Sequence, residues 1–343
     1  MMVPRLAIIA DDLTGALDSA APFAGIDGGV VVATHLMALP SALEAGGGVV
    51  AVSTRSREIP AAEARGRVAA ALAAFGPSVR IFKKIDSRLK GHLEAELDPL
   101  KGRLTVLPAI PEFGRVVKGG SLQGFGVETP ISVGAALGAA AARATVPDVA
   151  TDADMEAALA AAEDATTNEG ALVGARGLAQ ALAARWGLAP VATGGLPAPA
   201  CLVVGSTDPI TRAQVAALCD GRSDVHVVAA PGGKVPQGEL RLGITVIMAE
   251  PGDETRPTAV AAALADGARS YLAAAKGALL TGGATAEAVL DAAGIDCLRV
   301  AGEAMPGLPL CRAQGRVIVT KSGGFGTEDA LLRLAPAAIG AEG

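Results

Sequence analysis

A short apolar run, residues 5–10 (RLAIIA), ends directly in Asp11-Asp12-Leu13-Thr14-Gly15 and then in a stretch with helical spacing. A buried strand that releases two carboxylates at its carboxyl end and turns at once into a helix points to an open α/β sheet. In such sheets ligands bind in the crevice beyond the strand carboxyl ends, where the first helix also offers unpaired N–H groups. One aspartate can cap that helix. Capping does not need two, and a second acid at this depth calls for a cation, a metal or a polyhydroxylated ligand.

The same alternation continues along the chain. β-branched runs at residues 30–33, 49–53, 79–83 and 104–109 read as strands, and Ala-rich stretches at 61–75 and 91–97 carry the helical period. Residues 108–130, rich in Gly and Pro, read as a long ordered loop, and loops of that length in compact domains are usually functional. After a helix-like segment at 177–186, the run GGLPAPA at 194–200 reads as a linker. Strands are then expected near 201–204, 225–229, 244–249, 278–281, 298–300 and 317–320. A chain of 343 residues with 51% hydrophobic content accommodates two such domains, here residues 1–193 and 201–343. The predicted class is α/β: two three-layer α/β/α domains with mainly parallel sheets.

Composition narrows the partners. A formal charge of −6 without a concentrated Lys/Arg block argues against a nucleic-acid surface, and 2% aromatic residues leave no platform for stacking bases. Small metabolites are the better match. The four cysteines are widely spaced and form no CxxC, which fits reduced thiols in a cytoplasmic protein, and the three scattered histidines give a zinc site little support. The most membrane-like segment, residues 132–142, is too short to span a bilayer and is followed by Arg143. The aspartates at 11 and 12 interrupt the N-terminal apolar run before it reaches the length of a signal-peptide core.

Three times in the second half a strand ends in a small-residue turn ahead of a helix: LVVGSTDPITRAQ at 202–214, ALLTGGATAEAVL at 278–290 and VIVTKSGGFGTEDALL at 317–332. Each turn can aim backbone N–H groups at an anion, and glycine lets a phosphate approach closely. Ser206, Thr285 and Ser322 add hydroxyls and Lys321 adds a charge. Three such turns in one domain favour a nucleotide polyphosphate. The P-loop pattern GxxxxGK(S/T) is absent, and no GxGxxG follows the first strand.

The first half offers a polar acceptor site instead. Its fourth strand ends in Lys83-Lys84-Ile85-Asp86-Ser87-Arg88-Leu89-Lys90-Gly91-His92. In a doubly wound sheet Lys84, Asp86 and Ser87 would lie beside Asp11 and Asp12, while at least one of Lys83 and Lys90 reads as ordinary solvated charge. Arg55 and Arg57 follow the third strand and Arg115 follows the fifth. Arginine holds a carboxylate through two parallel hydrogen bonds, so a hydroxy acid is a natural ligand.

Taken together, IADDLTGALD, STRSRE, KKIDSRLKGH, PAIPEFGR, LVGARGLA, VGSTDPITRAQ, TGGATAEAVL and VTKSGGFG resemble the four-carbon acid sugar kinase family, in the same order and over nearly the whole chain. The resemblance implies a sugar-acid-binding N-terminal domain, a nucleotide-binding C-terminal domain, an active-site cleft between them, and ATP-dependent phosphorylation of acids such as threonate, erythronate or 3-oxo-tetronate. It places substrate contacts on Asp11, Asp12, Arg57, Lys84, Asp86, Ser87 and Lys90, to which the reading of the residues adds Arg115. It places ATP contacts on Ser206, on Gly282, Gly283, Ala284 and Thr285, and on Gly323, Gly324 and Gly326, beside Lys321. Where the family commonly has Lys-Ile-Asp-Ser-Thr-Leu-Arg-Gly-Asn, this chain carries Arg88 for Thr, Lys90 for Arg and His92 for Asn. Ala284 stands where an acidic residue is common, and the region after Pro130 is compressed.

The expected reaction is transfer of the ATP γ-phosphoryl group to a terminal hydroxyl, with Mg²⁺ bridging the phosphates. Arg57 and Lys84 would orient the acid's carboxylate, and Asp12 or Asp86 would accept the hydroxyl proton. The expected partners are a sugar acid and ATP, with no nucleic acid and no membrane, and a homodimer is one expected assembly. The metal ligands are left open. Two rivals follow from the same residues: a non-catalytic sensor that keeps both pockets, motivated by the altered KIDS segment, and a nucleotide-dependent oxidoreductase, against which the missing GxGxxG counts.

Overall fold

The structure, a computed structural model, describes residues 3–165 and 170–336. It divides into two units, Met1–Pro190 and Val191–Gly343.

In chain order the first unit contains β1 (Leu6–Ala10), β2 (Val30–Ala33), β3 (Val49–Ser53), β4 (Arg80–Lys84), β5 (Leu104–Leu107), β6 (Arg115–Lys118), β7 (Ser121–Gly124), β8 (Val127–Ser132), β9 (Ala144–Thr145) and β10 (Ala171–Gly174). Seven of them form a parallel sheet in the order β2-β3-β1-β4-β10-β5-β9. Every residue of β1 is fully buried, as expected of a strand covered on both faces by helices. One helical group is Leu13–Ala20 with Arg176–Arg185 and Asp152–Ala165; another is Ala61–Phe75 with Leu39–Ala45 and Leu93–Leu97. Ala10 pairs with Ser53 on one side and Lys84 on the other, so three neighbouring strands end level. Whatever follows them in sequence is thereby brought to one place.

Residues 108–130, expected as a loop, instead form a short 3-10 turn, Pro111–Phe113, and the antiparallel sheet β6-β7-β8. Its strands are only four to six residues long, and glycines at 114, 119, 120, 124 and 126 take positive φ at its turns. Turn residues therefore outnumber the alternating apolar ones. The alternation is present nonetheless: Val117 and Leu122 are buried beneath the sheet. The helix expected from residue 91 begins at Leu93, because Gly91 has φ 90°. β5 stops before Pro108, which has no N–H to give a neighbouring strand.

The second unit contains β11 (Ala200–Val204), β12 (Val225–Pro231), β13 (Ile244–Glu250), β14 (Gly277–Thr281), β15 (Cys297–Met305), β16 (Leu308–Ala313) and β17 (Arg316–Lys321). β12, β13, β11, β14 and β17 run parallel in that order, and β16 and β15 continue antiparallel from β17. β16 has no counterpart in the sequence expectation, since Pro309 interrupts its apolar run and bulges at Val300/Gly302 and Glu303/Met305 break the pairing rhythm. Helices Pro257–Ala274 and Gly283–Ala292 pack together, as do Pro209–Gly221 and Ala330–Leu334. Within the expected linker, the Leu196 N–H donates to the Leu334 carbonyl, and the Leu196 side chain is buried in this unit's core. Cys201 and Cys311 are fully buried free thiols, both pushed up to about 12 by burial. Among the described residues no helix is long and apolar enough to cross a membrane.

Candidate functional site

Because β3, β1 and β4 end level, the residues just beyond them meet. Arg57 joins three carboxylates: its Nε lies 2.8 Å from Asp11 Oδ2, its Nη1 2.9 Å from Asp12 Oδ2 and its Nη2 3.5 Å from Asp86 Oδ2. The oxygens differ in how fully they are used. Asp12 caps the helix Leu13–Ala20, with Oδ1 accepting the Gly15 N–H at 2.7 Å and Oδ2 accepting the Thr14 hydroxyl at 2.9 Å. Asp86 Oδ1 accepts the N–H groups of Arg88 at 2.9 Å and Lys90 at 3.2 Å. Asp11 is 2% exposed, and its Oδ1 has no partner although no water reaches it. An unpaired oxygen of a buried carboxylate is costly unless a ligand completes it.

Burial disfavours the charged form of Asp11, but Arg57, Lys83 and Lys84 outweigh it and hold the carboxyl below its ordinary value. Burial likewise opposes the Arg57 charge, and Asp12, Asp11 and Asp86 overcome it, so the guanidinium is more basic than usual. Arg57 is thus spent on protein carboxylates. That places it differently from the expectation that it grips the acid's carboxylate. Lys84 is buried with Nζ donating to the Ile85 carbonyl at 2.7 Å, which leaves donors for another acceptor. A Cβ on Gly15 would lie 2.6 Å from Asp12 Oδ1 and 3.0 Å from Lys84 Nζ, so glycine is what lets these two approach.

Ser87 and Arg115 are also brought together, Arg115 Nη1 donating to Ser87 Oγ at 2.7 Å and Nε to the Phe125 carbonyl at 2.9 Å. Burial, then the charge of Arg88, lower the Arg115 pKa, with Asp86 opposing them. Lys90 is exposed, whereas Lys83 is fully buried with Nζ 2.8 Å from Glu96 Oε2. Arg55 takes a left-handed φ of 48° and its Nε donates to the Thr34 carbonyl at 3.0 Å.

Two features escaped the sequence reading. Glu96 sits in the helix Leu93–Leu97 and meets Lys83 across the fold. Arg176, in the LVGARGLA segment beyond β10, is 2% exposed and bridges Asp18 at 3.0 Å and Glu112 at 3.3 Å. For Glu96 the sequence signal is a charged residue beside an apolar run, and for Arg176 it is membership of the LVGARGLA segment, which names no partner. The partners lie from 13 to 158 positions away, and spacing alone cannot pair them.

In the second unit β11, β14 and β17 are parallel neighbours, and the three turns that follow them touch. A Cβ on Gly205 would lie 1.9 Å from Thr285 Oγ1, and one on Gly323 would lie 2.4 Å from Ser206 Oγ. Gly282 (φ 89°) opens the helix Gly283–Ala292, whose first turn holds Ala284 and Thr285, and Gly326 also has positive φ. The third turn is long: residues 322–329 separate β17 from the helix Ala330–Leu334. Gly324 lies beside Asp208, which caps Pro209–Gly221 through the Ile210 N–H. Gln214 Nε2 supports the glycine turn through the carbonyls of Phe325 and Thr327.

Lys321 is fully buried and donates to Thr211 Oγ1 at 3.0 Å, to the Ser322 carbonyl at 3.1 Å and to the Gly323 carbonyl at 2.7 Å. Two of the three ammonium protons go to carbonyls of the turn and the third to Thr211 in the helix Pro209–Gly221, so Lys321 ties the glycine loop to that helix. Burial pulls its pKa down to about 8, against a smaller opposing pull from Asp208. The folded value lies below the ordinary 10.5, so the unfolded chain binds more protons between pH 8 and 10.5, and this group makes stability rise across that window. Lys321→Met is expected to remove that rise in urea titrations at pH 8 to 10.5.

Among the described residues no group of three or more His, Cys, Asp or Glu is set to hold a metal ion.

Residues 6–132 match the family model of a sugar-binding N-terminal domain, and residues 201–331 that of a nucleotide-binding C-terminal domain. Fold and site therefore define an enzyme class that joins a sugar-binding half to a nucleotide-binding half. The D-threonate kinase of Cupriavidus necator is 32% identical over 94% of this chain and 95% of its own. That of Bordetella bronchiseptica is 31% identical over 97% of both chains. The chain belongs to the four-carbon acid sugar kinase family and is a sugar-acid kinase that uses ATP. A solved protein of Salmonella typhimurium LT2 shares the fold, with TM-score 0.74 and 21% identity over 97% of this chain and 98% of its own.

Proposed function

We propose that this enzyme phosphorylates the terminal hydroxyl of a four-carbon hydroxy acid of the D-threonate type, with residues 1–193 binding the acid, residues 201–343 binding ATP, and 194–200 joining them. The observation that carries the reading is the carboxylate cluster around Arg57, whose one unpartnered buried oxygen, Asp11 Oδ1, faces no protein donor. Acid hydroxyls donate to Asp11, Asp12 and Asp86. Lys84 and Lys90 attract the acid's carboxylate, and Ser87 with Arg115 borders it. Asp86 takes the hydroxyl proton, because Asp12 is occupied by its helix cap and by Arg57, whereas Asp86 Oδ2 has only the long 3.5 Å contact.

ATP lies on the turns of Ser206, of Gly282, Gly283, Ala284 and Thr285, and of Gly323, Gly324 and Gly326, with Lys321 holding the last in shape. Backbone N–H groups at strand–helix junctions suit phosphates. No described cluster of carboxylates is set to hold a metal, so magnesium would reach this site as part of the nucleotide and would supply charge neutralisation there. Phosphoryl transfer requires alignment and charge stabilisation more than covalent help, so no nucleophilic triad is needed. The setting is the cytoplasm.

The test is coupled ADP release from ATP without acid, with D-threonate or D-erythronate, and with hydroxy acids of other chain lengths. Acid-dependent turnover with a four-carbon acid is expected. Turnover only with acids of other lengths would move the substrate assignment, and ADP release indifferent to any acid would end it.

A further inference from the structure

The sheet ladder that keeps β3, β1 and β4 level ends at Ser53, Ala10 and Lys84, yet Arg57 and Asp86 must still be held 3.5 Å apart beyond it. Because β1 lies between β3 and β4, no strand pairing joins the two outer exits. A buried polar chain does. The Thr54 hydroxyl donates to the Ala10 carbonyl at 2.9 Å and touches Ser56 Oγ at 2.7 Å. Ser56 Oγ donates to Glu96 Oε1 at 2.5 Å, and Glu96 Oε2 meets Lys83 Nζ at 2.8 Å. Lys83 Nζ also donates to the Lys84 carbonyl at 2.8 Å, and the Ser56 N–H donates to the Asp11 carbonyl at 2.9 Å. Thr54, Ser56, Lys83 and Glu96 are each no more than 2% exposed.

We propose that Glu96, with Lys83 and Ser56, is a positioning set for acceptor binding: a clamp that spans the exit of β1 and fixes the spacing of Arg57, Asp11 and Asp86. Glu96 is one residue before the end of the helix Leu93–Leu97 and touches the exits of both β3 and β4. Ser56 immediately precedes Arg57, and Lys83 lies three residues before Asp86. A buried ion pair is weak evidence for stability, since apolar residues of similar volume often serve as well. Its place here is accounted for by what it holds. Misplacing reacting groups by a fraction of a side-chain length is costly even when the fold survives.

The inference rests on the acid site proposed above, and the experiment separates the two. Lys83→Met/Glu96→Leu removes both charges together, leaves no unpaired buried ion, and is expected to keep a thermal midpoint near that of the wild type. With D-threonate as probe, its acid KM is expected to rise about tenfold or more while its ATP KM stays within about twofold. Ser56→Ala, which removes one link and no charge, is expected to raise the acid KM in the same direction with less effect. A purely structural pair would move the midpoint and leave the acid KM alone. Wild-type acid KM in the folded double variant therefore overturns the clamp, and if that variant does not fold, wild-type acid KM in Ser56→Ala does so. Calorimetric binding of D-threonate to Arg57→Met runs alongside. Unchanged affinity there would show that the acid binds elsewhere and that the underlying site reading fails; weakened affinity there with normal kinetics in the clamp variants sinks only the clamp.

Discussion

Replacing Arg57 with methionine is expected to abolish measurable phosphorylation of a four-carbon acid, a loss of more than about a thousandfold, and to destabilise the protein by about 3–5 kcal/mol. The two effects share a cause. One guanidinium is within 2.8 to 3.5 Å of Asp11, Asp12 and Asp86, and methionine keeps its aliphatic bulk while removing the charge that joins the three. Lys83 and Lys84 remain near Asp11, but Lys83 is committed to Glu96. Three carboxylates then repel one another, and Asp11, 2% exposed, loses its hydrogen-bonded partner.

The pH dependence has a definite sign. In the wild type the folded pKa of Asp11 is below its unfolded value, so this group adds stability that is present above about pH 4 and is lost as pH falls through the folded value. In Arg57→Met burial is no longer outweighed to the same degree, and the folded pKa rises. The variant should therefore be least stable relative to wild type near neutrality, and the gap should narrow on acidification. Urea unfolding from pH 7 to pH 4 measures it. A gap that stays constant across that range would mean that the cluster does not carry its charge on Asp11.

How much of this was written in the sequence depends on the range of the interaction. The level strand ends follow from local pattern: residues 30–33 and 49–53 were expected as strands and are β2 and β3, while β1 and β4 differ from expectation by one residue. Since Asp11, Arg57 and Asp86 come directly after those strands, their convergence is a consequence of parallel pairing, which the alternation of strands and helices announces. The glycine turns after β11, β14 and β17 are legible for the same reason. What Arg57 does on arrival is not. Its three partners lie 29 to 46 positions away, and only the register of β1 against β3 and β4 decides that it meets protein acids before any ligand. Lys83 and Lys84 illustrate the limit further. Adjacent in a strand, they point to opposite faces, so one reaches Glu96 and the other the Ile85 carbonyl, and no property of a Lys-Lys pair distinguishes them. The antiparallel sheet β6-β7-β8 was hidden because its many glycines look like loop composition, although Gly126 has φ 72° and sits against Arg115.

Asp86→Asn is expected to lower kcat about 10²- to 10⁴-fold with little change in the acid KM, the range that loss of a positioned proton acceptor produces. The substitution is conservative for the fold. Asp86 Oδ1 accepts two backbone N–H groups, from Arg88 and Lys90, and an asparagine carbonyl oxygen can accept both. That preserves a strained loop in which the buried Leu89 takes a left-handed φ of 58°. What asparagine lacks is the second oxygen. Asp86 Oδ2 has the long 3.5 Å approach of Arg57 and so keeps lone pairs for a hydroxyl proton, whereas an amide nitrogen at the same place would donate. Asp12→Asn provides the contrast, because asparagine caps helices as well as aspartate does. Both Asp12 oxygens already accept local hydrogen bonds, and one also meets Arg57. Its kcat is expected to fall by no more than about tenfold, from a weakened hold on Arg57 rather than from a missing base. Steady-state kinetics with D-threonate, paired with thermal midpoints for both variants, decides between the two carboxylates. If Asp86→Asn turns over at nearly the wild-type rate while Asp12→Asn does not, the proton goes to the helix cap, and oxygen availability is the wrong guide to the base in this site.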